Sequence, residues 1–377
     1  MKEPKLKTVY VCSNCGETSP RWMGRCPSCG SWNTMNEDVV AEAPKAGTAA
    51  AKQAAAARPE GVTTLTAKRL SEISMTEEKS RILTGISELD RVLGGGIVLG
   101  GVVLLSGEPG VGKSTMLLQL CGAISNQHSV LYITGEESVR QVKLRAARLK
   151  VPQDNIFLAA ENDVDEICGL IEKEKPDLVV IDSIQTIYSQ VLESSPGSVS
   201  QIRECAAMLL KYAKTTGTSI LLIGHITKDG TIAGPKVLEH IVDVVLQFEG
   251  DGNNVYRILR GIKNRFGATY EIGVFEMRNE GLAEVANPSE ILLTHYDEPL
   301  SGIAVGAAAD GIRPYLIEVQ SLVGNAAYGT PQRSSTGFDI KRLNMLLAVL
   351  EKRVGMKMYQ KDVFLNFAGG FKVADPG

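Results

Sequence analysis

The sequence has no long apolar run and little excess charge of either sign. No stretch of about 18 apolar residues occurs in its 377 residues, so no membrane-spanning helix is predicted. The lysine-rich start is not followed by an apolar segment, which predicts no secretory signal and a cytoplasmic protein. A formal net charge of −3 excludes a general polycation, so contact with nucleic acid is expected to be local.

The seven cysteines do not predict a disulfide framework. A reducing compartment disfavours disulfides, and four of the cysteines form two C-x-x-C pairs, Cys12 with Cys15 and Cys26 with Cys29. Two such pairs aim four thiolates at one ion, which predicts a tetrahedral Zn²⁺ site, with iron in a rubredoxin-like site as the alternative. A module this small has too little core to fold alone, so the metal is expected to stabilise it.

Changes in composition predict four segments. They are a cysteine module at 1–35, an alanine-biased linker at 36–65, an α/β domain at 66–286 and a third domain at 287–377. In the α/β domain, β-branched runs alternate with longer amphipathic stretches, as in a doubly wound fold, and later runs predict antiparallel hairpins that extend the sheet. The third domain lacks a closing helix and is expected to be incomplete.

The segment Gly107–Ser114 reads GEPGVGKS and matches G-x-x-x-x-G-K-[ST] between a predicted strand and a predicted helix. Its glycines let backbone N–H groups face phosphate oxygens at the helix N-terminus. Lys113 is expected to reach the β and γ phosphates of ATP, and the Ser114 hydroxyl to bind Mg²⁺. The predicted nucleotide contacts are Gly107, Glu108, Pro109, Gly110, Val111, Gly112, Lys113, Ser114 and Thr115.

Acidic residues follow two further predicted strands. Asp182 ends the apolar run Leu178–Ile181, the expected place of a carboxylate for the magnesium of ATP, although an aspartate there can also cap a helix. Glu136 is preferred over Glu137 for orienting the attacking water, and the alternative is that both are first-turn acids favoured by the helix dipole. His225, at the end of another strand, is either a γ-phosphate sensor or a structural residue.

These residues together resemble the bacterial RadA (Sms) family of DNA repair proteins over essentially the whole chain. The cysteine module is similar to that family's zinc finger, and the region from Thr84 to Ser114 is similar to the lead-in and Walker A motif of RecA, KaiC and DnaB-type ATPases. Lys263–Gly267 reads KNRFG, the signature of the family. The resemblance implies a RecA-like ATPase followed by a Lon-protease-like domain, assembled as a homo-hexameric ring on DNA.

The resemblance also implies ATP, Mg²⁺ and Zn²⁺ as cofactors. Lys263 and Arg265 are expected to reach a neighbour's ATP in trans as an arginine finger, whereas the residues alone favour a solvated turn. The Lon-like part is not expected to act as a protease, because the segment of Lon that carries the catalytic Ser and Lys is absent. The implied catalytic set is Lys113, Glu136, Asp182, Lys263 and Arg265, with Ser114 and Asp182 at the magnesium.

The implied function is a DNA-dependent ATPase of recombinational repair that drives branch migration or single-strand extension. Its expected partners are single-stranded and branched DNA, with a recombinase or replicative helicase. Ser189–Ser200 and Thr227–Lys236 are candidate DNA loops because they carry glycines next to the predicted ATP site; ordinary solvated loops are the alternative. The other functional hypotheses are a nucleotide-switched scaffold and an ATP-dependent protease.

Overall fold

The computed structural model describes most of the chain between residues 6 and 373. The described residues are 6–12, 17–28, 30–41, 81–152, 154–225, 235–250, 255–294, 296, 298, 300–310, 313–326, 330–367 and 373. Their strands form four sheets. Among these residues, no helix is both long enough and apolar enough to span a membrane.

The N-terminal sheet is antiparallel and small. Its strands are β1 (Leu6–Cys12), β2 (Thr18–Ser19) and β3 (Met35–Ala41), in the order β2-β1-β3. The predicted boundary at residue 35 falls at the start of β3 rather than at its end, because β3 pairs with β1 as far as Ala41. The predicted linker, 36–65, lies outside the described residues from residue 42 onward.

A nine-stranded sheet forms the centre of the protein. A two-stranded sheet and a helix precede it: β4 (Arg81–Ile82), α1 (Ser87–Leu93) and β5 (Ile97–Val98). The parallel part alternates strands and helices: β6 (Val102–Gly107), α2 (Lys113–Ile124), β7 (Val130–Thr134), α3 (Val139–Arg148), β8 (Ile156–Ala160), α4 (Val164–Glu174), β9 (Leu178–Asp182), α5 (Val199–Thr216), β10 (Ser219–His225), α6 (Pro235–Ile241) and β11 (Val244–Gly250). The strand order is β11-β6-β10-β9-β7-β8.

Three antiparallel strands extend the sheet beyond β11, as the hairpin pattern predicted. They are β12 (Tyr256–Asn264), β13 (Ile272–Arg278) and β14 (Gly281–Glu284). β11 is parallel to β6 and antiparallel to β12, so it joins the two parts of the sheet.

Both faces of the sheet are covered by apolar side chains. Along β6, Val103 and Leu105 belong to one buried cluster, and Val102 and Leu104 belong to another. Successive side chains of a strand point to opposite faces, so the two clusters lie on the two sides of the sheet. All residues of β6 are buried, which explains why such a strand is an almost continuous apolar run.

The C-terminal part is a separate four-stranded sheet in the order β15-β16-β18-β17. Its elements are α7 (Pro288–Leu292), β15 (Ile303–Asp310), β16 (Arg313–Asn325), β17 (Arg333–Thr336), α8 (Ile340–Val349) and β18 (Lys361–Phe367). Helix α8 ends at Val349, and the chain continues as a π-helical turn, Leu350–Val354. Tyr315 and Phe367 share an apolar cluster with Val274 of β13, which attaches this sheet to the core.

Candidate functional site

The glycine-rich segment leaves the centre of the large sheet at the end of β6. The chain turns through Gly110 and Gly112, whose φ angles are +81° and +112°, and enters α2 at Lys113. Glycine adopts such angles readily because it has no Cβ atom. The turn therefore presents backbone N–H groups at the N-terminus of a 12-residue helix, an arrangement that binds anions.

Two glycines of this segment also have no room for a side chain. A Cβ atom on Gly107 would lie 2.5 Å from the carbonyl oxygen of Phe248, and one on Gly112 would lie 2.8 Å from Cε of Met277. Both distances are well inside the optimum for carbon contacts. β11 and β13 therefore support the turn closely from outside.

Lys113 folds back into the segment that precedes it. Its buried Nζ atom donates to the carbonyl oxygens of Gly107 and Glu108, each at 2.8 Å. Burial lowers the pKa of Lys113 from 10.5 to about 8, and the negative charges of Asp182, Glu136 and Glu108 oppose that shift. Acidic residues that follow or end three strands thus act on one ammonium group.

The other predicted nucleotide contacts follow the same backbone. On the mouth of the turn lie three exposed residues, Glu108, Pro109 and Gly110. Val111 is buried beneath it, and Ser114 and Thr115 are partly exposed on the first turn of α2. Hydroxyl groups at this point of a phosphate-binding helix are within the region where a nucleotide-bound cation is held.

Asp182 ends β9 on the same edge of the sheet and is buried. Its Oδ2 atom accepts a 2.6 Å hydrogen bond from the Tyr132 hydroxyl. Burial and the charge of Asp182 raise the pKa of Tyr132 well above 10, so the hydroxyl stays a donor. The helix-cap alternative does not hold, because the short 3₁₀ turn Ile184–Thr186 is preceded by Ser183 and has no side-chain cap.

Glu136 and Glu137 have different surroundings. Oε1 of Glu136 accepts a 2.5 Å hydrogen bond from the Ser183 hydroxyl and lies 3.2 Å from Nε2 of His225. Glu137 instead forms an ion pair with Arg145. Both precede the capped start of α3, so neither is a first-turn acid of that helix. The geometry therefore separates a carboxylate beside Lys113 and Asp182 from one that anchors α3.

His225 stands at the end of β10, directly across from Gly107 in the parallel register. Its Nε2 atom faces Glu136, and its Nδ1 atom is buried without a hydrogen-bond partner in the described part of the chain. Of the two predicted loops, Thr227–Lys236 follows this residue and lies outside the described residues, apart from the start of α6.

The KNRFG segment lies at the opposite ends of the strands from the phosphate-binding turn. Asn264 pairs with Val244 at the start of β11, and Val244 pairs with Val103 near the start of β6. Gly107 is at the other end of β6, so the two sites are separated by roughly 13 Å along that strand. The structure therefore does not bring the KNRFG segment to the phosphate-binding turn of the same chain.

The two cations of this segment differ in exposure. Nζ of Lys263 donates to the carbonyl oxygens of Glu239 and Val242, at 2.5 and 2.7 Å, at the end of α6. Burial lowers the pKa of Lys263, and the nearby charge of Arg265 adds to the effect. Arg265 is exposed, and its Nη1 atom lies 3.2 Å from Oδ1 of Asp243.

The cysteine module brings together one thiol from each C-x-x-C pair. Cys12 and Cys26 are buried in one cluster. Each starts a similar turn, because the Cys12 amide donates to the Glu17 carbonyl and the Cys26 amide donates to the Ser31 carbonyl, both at 2.9 Å. Two equivalent turns that bury their first thiol together fit a tetrahedral metal site. The second cysteine of each pair lies outside the described residues.

Comparison with known proteins gives consistent matches. Residues 66–231 match a profile described as an AAA domain, and residues 10–37 match a zinc-ribbon profile described as a rubredoxin metal binding domain. The DNA repair protein RadA of Bacillus subtilis (strain 168) is 47% identical over 375 residues, covering 99% of this chain and 80% of that protein. RadA of Halalkalibacterium halodurans is 48% identical over 374 residues, with 99% and 80% covered. A KaiC-like protein from Pyrococcus horikoshii OT3 has a TM-score of 0.47 and 23% identity, covering 55% of this chain and 99% of that one.

The chain belongs to the RadA family. Its large mixed sheet is the α/β, RecA-like core of a P-loop ATPase, and its N-terminal sheet is a zinc ribbon. This RadA-family protein is therefore an ATP hydrolase of the DNA repair class. The family, the fold class and the ATP hydrolase activity expected from the sequence are confirmed.

Two residues near the site of this RadA-family chain were not predicted from the sequence. Tyr132 holds Asp182, as described above. Arg257, buried at the start of β12, donates from Nε to the carbonyl oxygen of Val111 at 2.8 Å and from Nη1 to that of Tyr256 at 2.9 Å. A charged residue inside an apolar strand is a signal that could have marked Arg257, but its target depends on strand register.

Proposed function

We propose that this protein is a DNA-dependent motor of recombinational repair. It binds single-stranded and branched DNA as a homo-hexamer and uses ATP hydrolysis to drive branch migration or strand extension. The RecA-like core, residues 66–286, supplies the ATPase, and residues 287–377 form the Lon-protease-like part. Residues 1–35 carry the zinc site, with Cys12, Cys15, Cys26 and Cys29 as ligands.

Each predicted site residue has a chemical role in this proposal. The turn 107–115 binds the phosphates of ATP, and Lys113 moves from its two carbonyl oxygens to the β and γ phosphates. Mg²⁺ bound with ATP would supply positive charge at the phosphates, and Ser114 and Asp182 would hold it. Glu136 orients the attacking water, which requires it to leave Ser183.

The observation that carries the proposal is the distance between the two halves of the catalytic set. Lys263 and Arg265 lie near the N-terminal end of β6, whereas Lys113 follows its C-terminal end. A finger that cannot reach its own nucleotide acts on that of a neighbour, and repetition of this head-to-tail contact closes a ring. Lys263 serves mainly to fix the segment, because it donates to the carbonyl oxygens of Glu239 in α6 and of Val242 just after that helix.

Ser189–Ser200, the candidate DNA loop that the structure describes, would contact DNA through uncharged groups. Ser189–Ser200 contains Glu193 and no lysine or arginine. The side chain of Gln201 is buried and holds the loop. Its Oε1 atom accepts from the Ser189 backbone amide, and its Nε2 atom donates to the carbonyl oxygens of Ser189, Leu192 and Ser194. A loop held at its base in this way presents an exposed tip next to the ATP site. Electrostatic attraction for the phosphate backbone then has to come from other parts of the ring.

Steady-state phosphate release with and without single-stranded DNA tests the motor function. Lys113→Ala provides the blank, since it removes the phosphate-binding ammonium and leaves the zinc ribbon intact. We expect DNA to raise the turnover of the wild-type protein severalfold, with an effect that weakens as salt rises. Slow turnover that DNA does not change would instead favour a nucleotide-switched scaffold that docks a recombinase or a helicase.

Mixing two inactive variants tests the shared site. Arg265→Ala keeps an intact phosphate-binding turn, and Lys113→Ala keeps an intact finger. In an equimolar mixed ring, about one interface in four joins both intact halves, so activity should return to that order. No recovery from a mixture that assembles normally would remove the support for a finger in trans.

A further inference from the structure

Asp243 is a buried carboxylate at the edge of the sheet where Arg265 lies. It stands between α6 and β11, and only 3% of its surface is exposed. A carboxylate is seldom so buried unless its oxygens are matched by donors. The nearest charged and donor groups therefore define its role.

Two hydrogen-bond donors and one further cation lie around this carboxylate. Oδ2 of Asp243 accepts from the amide of Val102 at 3.2 Å, and Oδ1 accepts from Nη1 of Arg265 at 3.2 Å. Nζ of Lys214 is 4.0 Å from Oδ1. The backbone repeats the same links, because the Asp243 amide donates to the Val102 carbonyl and the Arg265 amide donates to the Asp243 carbonyl. One residue thus joins Arg265 to the first residue of β6.

The rest of the KNRFG segment is held by other contacts. Nδ2 of Asn264 donates to the Leu93 carbonyl at 3.1 Å, and the Phe266 carbonyl accepts from Arg81 at 2.9 Å. These bonds fix the backbone but do not touch the Arg265 side chain. That side chain is long and flexible, so without a partner it would sample many rotamers.

We propose that Asp243 is a positioning residue for Arg265. The ion pair uses one of the five guanidinium donors and directs the others outward, where the triphosphate of the adjoining subunit would lie. Because the same carboxylate binds the Val102 amide, the finger is held at a fixed place relative to β6. This inference rests on the trans role of Arg265 given under the proposed function.

Asp243→Asn separates this role from simple packing. The amide has nearly the same shape and keeps an acceptor for the Val102 amide, but it loses the charge that holds Arg265. A finger displaced by about 1 Å lowers turnover by roughly ten- to a hundredfold, so kcat should fall to that extent. The KM for ATP should change little, because the phosphate-binding turn is intact. Lys214→Ala is the matched control, since it removes the other nearby cation without touching Arg265, and it should keep wild-type turnover.

Mixing assays give a readout that a structural role would not produce. Asp243→Asn rings should regain activity when mixed with Lys113→Ala, which supplies an intact finger, and should not regain it with Arg265→Ala. Binding of a fluorescent ATP analogue shows whether Asp243→Asn is folded. If this variant does not fold, Asp243→Glu takes its place, because glutamate keeps the charge but shifts it by one methylene group. The same pattern of recovery in the mixtures is expected.

The possible outcomes distinguish the inference from the proposed function. The reference mixture contains Arg265→Ala and Lys113→Ala. If this mixture recovers activity and Asp243→Asn keeps the wild-type kcat, the positioning role of Asp243 is overturned and the shared site is not. The same holds if Asp243→Asn recovers in both mixtures or in neither. Absence of recovery in the reference mixture overturns the shared site, and the role of Asp243 with it.

Discussion

The buried ammonium of Lys113 makes ATP binding sensitive to pH. Without nucleotide, burial lowers its pKa to about 8, so the amine is mostly protonated at pH 7 and mostly neutral at pH 9. Phosphate oxygens beside it favour the charged form and raise the pKa again. ATP binding therefore takes up a proton, and affinity falls as the pH rises through about 8.

The size of the effect follows from the fraction of Lys113 that is protonated. When binding needs the ammonium form, the apparent Kd grows in proportion to 1 + 10^(pH − pKa). For a pKa of about 8, this factor rises roughly tenfold between pH 7 and pH 9. Titration with a fluorescent, slowly hydrolysed ATP analogue at fixed ionic strength measures Kd across this range.

Lys113→Arg is the matched control. Its guanidinium stays charged throughout the range, so its Kd should be flat between pH 7 and pH 9, whatever its absolute value. A flat wild-type curve would refute the reasoning. An equal slope in both proteins would refute it as well, because the titrating group would then be some other residue.

Three further predictions concern other parts of the molecule. Tyr132→Phe removes the hydrogen bond that holds the Asp182 carboxylate in place, and a hydrogen bond to a charged group contributes about 1.5–3 kcal/mol. More Mg²⁺ should therefore be needed for half-maximal ATPase activity. An unchanged Mg²⁺ titration would contradict this. Burial opposes the charge of Glu318, but hydrogen bonds from Gln320 and its neighbours lower the pKa of Glu318; its contribution to stability is present at neutral pH and lost as the pH falls through that lowered value. Urea unfolding should therefore show Glu318→Gln destabilised by about 1–3 kcal/mol at pH 7, with a difference that shrinks as the pH falls through the lowered pKa of Glu318. Cys26→Ser should reduce bound zinc from about one ion per chain while ATP binding persists, as metal analysis and nucleotide titration would show.

The central strands could be predicted from the sequence because their environment leaves little choice. The β-branched runs of the sequence predict strands at Val130–Thr134 and Leu178–Asp182, which are the bounds that the structure shows, since each run is buried and lies between polar turns. Ile156–Ala160 was not predicted. It is the edge strand of the sheet, its side chains are only partly buried and Phe157 is exposed. Its short apolar run ends in two alanines, a residue type that is depleted in strands, so the run does not mark a strand clearly.

The candidate site likewise contains residues that local sequence patterns predict and residues that they do not. Lys113 and Glu136 are predicted because each belongs to a local pattern in which a strand ends in a turn with the required side chain. Tyr132 and Arg257 were missed because their partners, Asp182 and Val111, are 50 and 146 positions away in the chain. Contacts at such separations depend on strand order and register, which local patterns do not contain.

The direction of β12 explains why the two halves of the proposed site cannot meet within one chain. β11 runs parallel to β6 toward the phosphate-binding edge, and β12 returns in the opposite direction. Arg257, at the start of β12, therefore supports the chain's own nucleotide turn, while Arg265, just past its end, reaches the other edge. In the proposed ring, one strand therefore serves two nucleotide sites, its own and that of a neighbour. An isolated chain leaves the second unused, so dilution below the concentration of assembly should abolish turnover while ATP binding persists; constant turnover per chain on dilution to monomers would contradict this.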